Sequence, residues 1–355
     1  MDPTSFNDLP YEVQEAVGPY LEQHSLHSCV LVCRAWKTVF YPFLWRHVDI
    51  LWNNDTESWN ASPDALKAHC HLTQSLRVRC TKASIPGFLK SCPRHFPQLD
   101  SLELHGSDCF DWSLVLSSRI FSVAWKRLVF RQYGDRRQGT YFGGPLFERL
   151  QTFSLTLVVV HLEGCWFHVG FSVNRLLCSA LNLKELWVTG NRTEALRTWM
   201  CARDIAGSQW VCTNLEVFVC QIRAIPRPDI ERYINNYYRG RPWMINGTVQ
   251  DSHDLQRRVY TQLGRLTKLR ELRLGLSVYP TRYPNYQRGD REIYRQYDCL
   301  AMTLDSGLDL LKGLKELRVV GLEDMEVYID GDGEQSWFAE HWPLAKIGYE
   351  DYRED

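Results

Sequence analysis

Between residues 73 and 319 an apolar-x-x-apolar-x-apolar cassette recurs: TQSLRV at 73, LDSLEL at 99, WKRLVF at 125, LQTFSL with a shifted start at 150, LKELWV at 183, LEVFVC at 215, LRELRL at 269 and LKELRV at 314. The central apolar residues are Leu76, Leu102, Leu128, Phe153, Leu186, Phe218, Leu272 and Leu317, separated by 26, 26, 25, 33, 32, 54 and 45 residues. Spacings of this order are the mark of stacked supersecondary units. Each cassette suits a short strand whose alternate residues point in opposite directions. RTEALRTWMCARDIAG and SHDLQRRVYTQLGRL read as helices between strands. The interval of 54 equals two units of 27, which places a degenerate repeat near RPWMINGT at 241–248.

Composition supports a folded chain: 45% of the 355 residues are hydrophobic and 23% charged. The formal net charge of −1 gives no domain-wide basic excess of the kind that binds nucleic acid or an anionic membrane. The N-terminal MDPTSFNDLPYEVQEAV has no basic leader before an apolar core, and no apolar run of about 18 residues follows. A cytoplasmic or nuclear location is expected, with the twelve irregularly spread cysteines reduced and mostly buried.

Upstream of the cassettes, Leu9, Val13, Val17, Tyr20 and Leu21 share one face of a helix, with Asp8 and Pro10 suited to its N-terminus. Pro19 predicts a kink or an end near Gly18. A second helix is predicted from about Ser25, carrying Leu26, Cys29, Val30, Val32 and Cys33. A third contains Trp36, Val39 and Phe40 and stops at Pro42. Three helices in about forty residues bury too little area to stand alone, so a partner surface is expected to complete them.

The stretch LPYEVQEAVGPYLEQHSLHSCVLVCRAWKTVFYPFLW resembles an F-box, in particular those of the large fungal F-box family. The likeness rests on Leu9-Pro10, Glu12, Val13, Val17, Tyr20-Leu21, Leu26, Cys29, LVCRAW and Leu44-Trp45. It departs at Gly18-Pro19, where such motifs continue a plain helix. The resemblance implies docking onto a Skp-type adaptor, which connects the chain to a cullin-based ubiquitin ligase. It places Leu9, Pro10, Val13, Leu26, Val30, Val32, Cys33 and Trp36 at or just behind that interface.

The cassettes resemble irregular leucine-rich repeats, although the asparagine of the standard repeat is mostly absent; the alternative is an α/β sheet of unrelated strands. The expected fold is therefore α/β: a three-helix F-box, then a leucine-rich-repeat-like solenoid with a curved parallel sheet and outer helices. Expected divisions are the F-box at 1–48, a linker and first packing segment at 49–70, the repeats at 71–348 with an insertion at 276–299, and an acidic tail at 349–355. WFAEHWPLAKIGYED is expected to close the last repeat.

In such an arc the residue between the last two apolar positions of each cassette faces the concave surface: Arg77, Glu103, Val129, Ser154, Trp187, Val219, Arg273 and Arg318. Exposed apolar residues mark contacts, so Trp187, Val129 and Val219 are expected to anchor an unknown protein substrate. Arg77, Arg131, Arg273 and Arg318 are expected to select an acidic or phosphorylated segment. The alternative is that the insertion or the C-terminal tail covers Trp187.

Catalytic and metal chemistry has little support. AHCHL at 68–72 lacks a paired CxxC, and DGDGE at 330–334 lacks the distant Glu of a calcium loop and reads as a turn. No glycine-rich phosphate loop or G-x-S-x-G elbow occurs, and no cysteine stands out as an activated thiol. No cofactor and no metal is expected. The reading is a non-catalytic substrate receptor of an SCF-type ubiquitin ligase, with an adaptor-binding scaffold lacking ubiquitination as the alternative.

Overall fold

The computed structural model describes residues 6–53, 58–60, 62–80, 96–106, 124–132, 148, 150–163, 170–190, 199–230, 247–275, 297–323, 325, 327 and 332–348. The N-terminal module comprises α1 (Tyr11–Val17), a 3-10 turn at Gly18–Tyr20, α2 (Gln23–Val32) and α3 (Arg34–Leu44). Helix α1 ends at Val17, as Gly18-Pro19 predicted. Its N-cap is Pro10, not Asp8, and makes no side-chain cap. Helix α3 starts from Cys33, whose Sγ accepts the Trp36 N–H, and it runs through Pro42 instead of stopping there. Pro42 itself is exposed, whereas Phe43 beyond it is buried and holds the last turn on the core.

Leu26, Val39, Phe40 and Phe43 form the centre of this module, with Phe6, Leu21, Cys29, Val30, Trp36 and Leu44 around them. The Phe43 ring lies on Gly18: a Cβ there would come within 2.5 Å of it. Gly18 is thus required by close packing, since its backbone has ordinary right-handed helical angles.

The strands are β1 (His47–Asn53), β2 (Ser58–Trp59), β3 (Ser75–Cys80), β4 (Ser101–Gly106), β5 (Arg127–Gln132), β6 (Val159–Glu163) and β7 (Glu185–Thr189). They continue with β8 (Trp199–Cys201), β9 (Val217–Val219), β10 (Gln221–Arg223), β11 (Glu271–Arg273), β12 (Val319–Gly321) and β13 (Lys346–Gly348). One sheet has the order β13-β12-β11-β9-β7-β6-β5-β4-β3-β1-β2, in which all neighbours but β1 and β2 are parallel. The expected architecture is present: N-terminal helices, then a mixed α/β domain with a ten-strand parallel sheet consistent with a repeat solenoid.

Register fixes one core-facing row: Val48, Leu76, Leu102, Leu128, Val160, Leu186, Phe218, Leu272, Val320 and Ile347. Two cassettes are therefore in another frame than the sequence suggested. The fourth strand-forming unit is Leu157, Val160 and Leu162, while Phe153 and Leu155 precede it in a turn. The last is Leu317, Val320 and Leu322, because the Arg318 N–H bonds to the Arg270 carbonyl and fixes the strand three residues later. Apolar residues on both sides of each strand satisfy the cassette in two frames, and only the backbone pairing chooses.

Strand β1 begins at His47, within the stretch read as the end of the F-box and the first packing segment. Strands β9 and β11 pair directly; of the degenerate repeat expected near RPWMINGT, the residues up to 246 lie outside the described ones. Other expectations are corrected. In the segment read as a helix at 192–207, residues 192–198 lie outside the described ones, and β8 precedes a short helix, α6 (Ala202–Ala206). The DGDGE segment, where described, opens the C-terminal helix α8 (Asp332–His341) instead of turning.

The helices α4 (Pro63–His69), α5 (Gly170–Leu177), α7 (Val249–Gly264) and α8 pack on the sheet together with α6. The Ser62 hydroxyl caps α4 by accepting the Ala65 N–H, and Thr248 and Asp251 form a reciprocal capping box on α7. Val173, Leu176, Ile205, Val259, Leu263 and Trp337 join the strand residues in one continuous core. Trp337, Phe338 and Trp342 close its end, as expected of a terminal repeat. Helix α7 also holds the chain at 301–302: Gln256 Oε1 accepts the Ala301 N–H, and the Tyr260 hydroxyl oxygen accepts the Met302 N–H. Positions 276–296 of the expected insertion and the tail at 349–355 lie outside the described residues; Tyr297, Asp298 and Cys299 are buried.

Candidate functional site: a helical docking face and the face of the sheet

Two of the three N-terminal helices show apolar side chains that the module's own core does not use. Val13 on α1 is 45% exposed, and Leu31 and Val32 at the end of α2 are 72% and 60% exposed. Tyr11 and Tyr20 are also exposed, as are Pro10 and Cys33. Helix α2 can do this because apolar residues occupy both its sides: Leu26, Cys29 and Val30 turn to α3, leaving Leu31 and Val32 outside.

Of the residues expected to meet an adaptor, Pro10, Val13, Val32 and Cys33 are thus open to solvent, and Leu9, Val30 and Trp36 are half-buried. Leu26 is buried with Val39, Phe40 and Phe43, so it stands behind the exposed residues and not among them. Trp36 is chiefly a core residue, packing edge-on to Phe6 at 4.9 Å and to Phe40 at 5.7 Å between ring centres. Leu31 was missed. Its signal was the unbroken CVLV, in which adjacent apolar residues cannot all face one partner.

The module joins the sheet through a small polar-aromatic contact. The Tyr41 hydroxyl lies 2.9 Å from His69 Nε2, and the Trp45 ring lies on the same imidazole at 4.2 Å between centres. Trp45 belongs to the core of the sheet, whereas Phe43 and Leu44 belong to that of the helices.

On the sheet face opposite the core, one register row reads Asp49, Arg77, Glu103, Val129, His161, Trp187, Val219, Arg273, Gly321 and Gly348. His161 takes the place expected for Ser154, and Gly321 that expected for Arg318. Val129 and Val219 are buried, so they are not exposed anchors. Trp187 is half-buried and leans on His161, with ring centres 5.8 Å apart. Its indole N–H is enclosed without an acceptor among the described residues.

The expected cation selectors on this face are already paired. Arg77 donates to Glu103 at 3.0 Å, and Arg79 grips Asp49 with two bonds of 3.1 and 2.8 Å. Arg131 donates to Glu163 at 2.9 Å, and Arg273 pairs with Glu271 and, at 3.5 Å, with Glu323. His105 lies 2.6 Å from Glu103, and His161 lies 3.0 Å from Glu185. Burial works to raise the Glu103 carboxyl, but hydrogen bonds from His105 and Arg77, reinforced by their charges, prevail and hold it at about 2. Opposite charges on adjacent strands thus cross-link the face from β1 to β6, and the His161–Glu185 contact continues the link to β7. Arg318 is exposed but sits in the turn before β12, off this face.

Burial pushes the Cys212 and Cys220 thiols up to about 12, which removes both as nucleophiles. Among the described residues no group of three His, Cys, Asp or Glu could hold a metal ion, and no helix is long and apolar enough to cross a membrane. In comparisons with known proteins, the F-box-like family model matches residues 6–51, which spans the helical module and the start of β1. No curated protein matches the chain.

Proposed function

We propose that this protein, whose N-terminus is an F-box-like domain, is the substrate-recognition subunit of an SCF-type ubiquitin ligase. Helices α1–α3 take the Skp-type adaptor, and through it a cullin, while the repeat domain takes a protein substrate. The observation that carries the reading is the exposure of Val13, Leu31 and Val32 on a module whose own core is complete without them. Apolar side chains left exposed on so small a module gain free energy when a partner covers them, at about 25 cal/mol per Å².

The chain acts by proximity: holding substrate on the same assembly as a charged conjugating enzyme raises the effective concentration of its lysines. The internally paired charges of the sheet face favour a second reading, an adaptor-binding scaffold without ubiquitination. Cells expressing the full chain separate the two. A ubiquitinated protein that accumulates on proteasome inhibition with the wild type, but not with Leu31→Asp/Val32→Asp, supports the receptor; its absence with the wild type leaves the scaffold.

A further inference from the structure

The turns that enter the parallel strands form a second register row along one edge of the sheet. Successive backbone bonds connect Arg46, Gln74, Asp100, Lys126, Val158, Lys184, Glu216, Arg270, Arg318 and Lys346, each N–H going to the preceding carbonyl. Neighbours in such a row stand about 4.8 Å apart. From Asp100 onward, cations meet anions one turn away: Lys126 pairs with Asp100 at 2.9 Å and Lys184 with Glu216 at 3.2 Å. Arg270 lies 3.3 Å from Glu216 and 3.6 Å from Glu316.

Beyond Arg270 the compensation stops. Positions two and three residues before the row add Lys268 and Lys315, and the only carboxylate among these positions of the last three turns is Glu316. Arg318, Lys346, Lys315 and Lys268 are all exposed, and none lies within ion-pair distance of a carboxylate of the described residues. Leu344, 58% exposed, sits in the last turn beside Lys346. A chain of net charge −1 thus gathers at one edge, in turns that also carry an exposed leucine, cations without a carboxylate partner among the described residues, Lys268 being held by Asn214 at 2.6 Å, while it neutralises the arginines on its sheet face internally.

We infer that this edge, formed by Lys268, Lys315, Arg318, Leu344 and Lys346, is the docking surface for an acidic protein segment that carries an apolar residue. The inference rests on the receptor reading for its biological sense and names the class of substrate. Charge complementarity selects the segment and steers its approach, and Leu344 receives its apolar side chain.

The test uses the full chain and a labelled ten-residue peptide of alternating Glu and Leu, with an alternating Lys and Leu peptide and a single-stranded oligonucleotide as competitors for assignment. The wild type is expected to bind the acidic peptide, and Arg318→Glu/Lys346→Glu to weaken it about fivefold or more. A Leu344→Ser variant is expected to weaken it without changing its dependence on salt. Equal binding by wild type and charge-reversed chain, equal binding of the two peptides, or tighter binding of the oligonucleotide each overturns the inference. Adaptor binding is measured on the same preparations. If the wild type binds the acidic peptide but no adaptor, the receptor reading fails and the edge stands; if it binds adaptor but no peptide, the reverse holds.

Discussion

At Gly18 the sequence shows only that a helix must end, because Pro19 follows. Why glycine stands there depends on Phe43, a residue of another helix whose ring fills the space a Cβ would take. Gly18→Ala should therefore cost about 1–3 kcal/mol through overpacking, and a Phe43→Leu partner change should recover part of it. Urea unfolding of the full chain followed by helicity checks both. Glu103 was readable as a residue of the inner face, but its partners on β3 and β5 belong to the register and not to the local sequence. Its pKa is depressed to about 2 from 4.5, so its stabilising contribution is complete above about pH 4.5 and disappears as pH falls towards 2. Glu103→Gln should cost about 1–3 kcal/mol at neutral pH and flatten the loss of stability between those limits. An unchanged acid profile contradicts that account of the charge ladder.

Elements were legible where their pattern admits one frame. Leu99-Leu102-Leu104 and Leu183-Leu186-Val188 have polar residues on either side and were placed correctly. LQTFSLTLVVVHL and LKELRVVGL carry a surplus of apolar residues, and there the hydrogen-bond ladder chose a later frame. Strand β8 was hidden because its partner β10 lies some twenty residues away and both strands are only three residues long. What secures this small sheet is also non-local. Buried Arg223 donates to Asp298 at 2.8 Å through Nε and 2.7 Å through Nη2, and Asp298 also accepts the Ala224 N–H at 3.1 Å. Asp298→Ala leaves a guanidinium buried without its carboxylate and should cost about 3–5 kcal/mol. An Arg223→Met/Asp298→Leu double change should be far milder, as denaturant midpoints can show.

At the scale of the molecule, the two larger cores of the described residues are that of α1–α3 and that between the sheet and its helices. That division and the parallel order of the repeats were readable from spacing and from the F-box resemblance. The state of the sheet face was not, because pairing between strands decides which arginines remain available. Two surfaces are thus distinct, an apolar one at the N-terminal helices and a basic one at the edge of the last turns. The most direct measurement is titration calorimetry of the full chain with a purified Skp-type adaptor, comparing wild type with Leu31→Asp/Val32→Asp. Both side chains are exposed, so the variant should fold and should keep the acidic-peptide binding of the wild type. The prediction is a stoichiometric complex for the wild type and a loss of about tenfold or more in affinity, roughly 1.4 kcal/mol, for the variant. Equal affinity of the two folded proteins, or no complex with the wild type, contradicts the central claim.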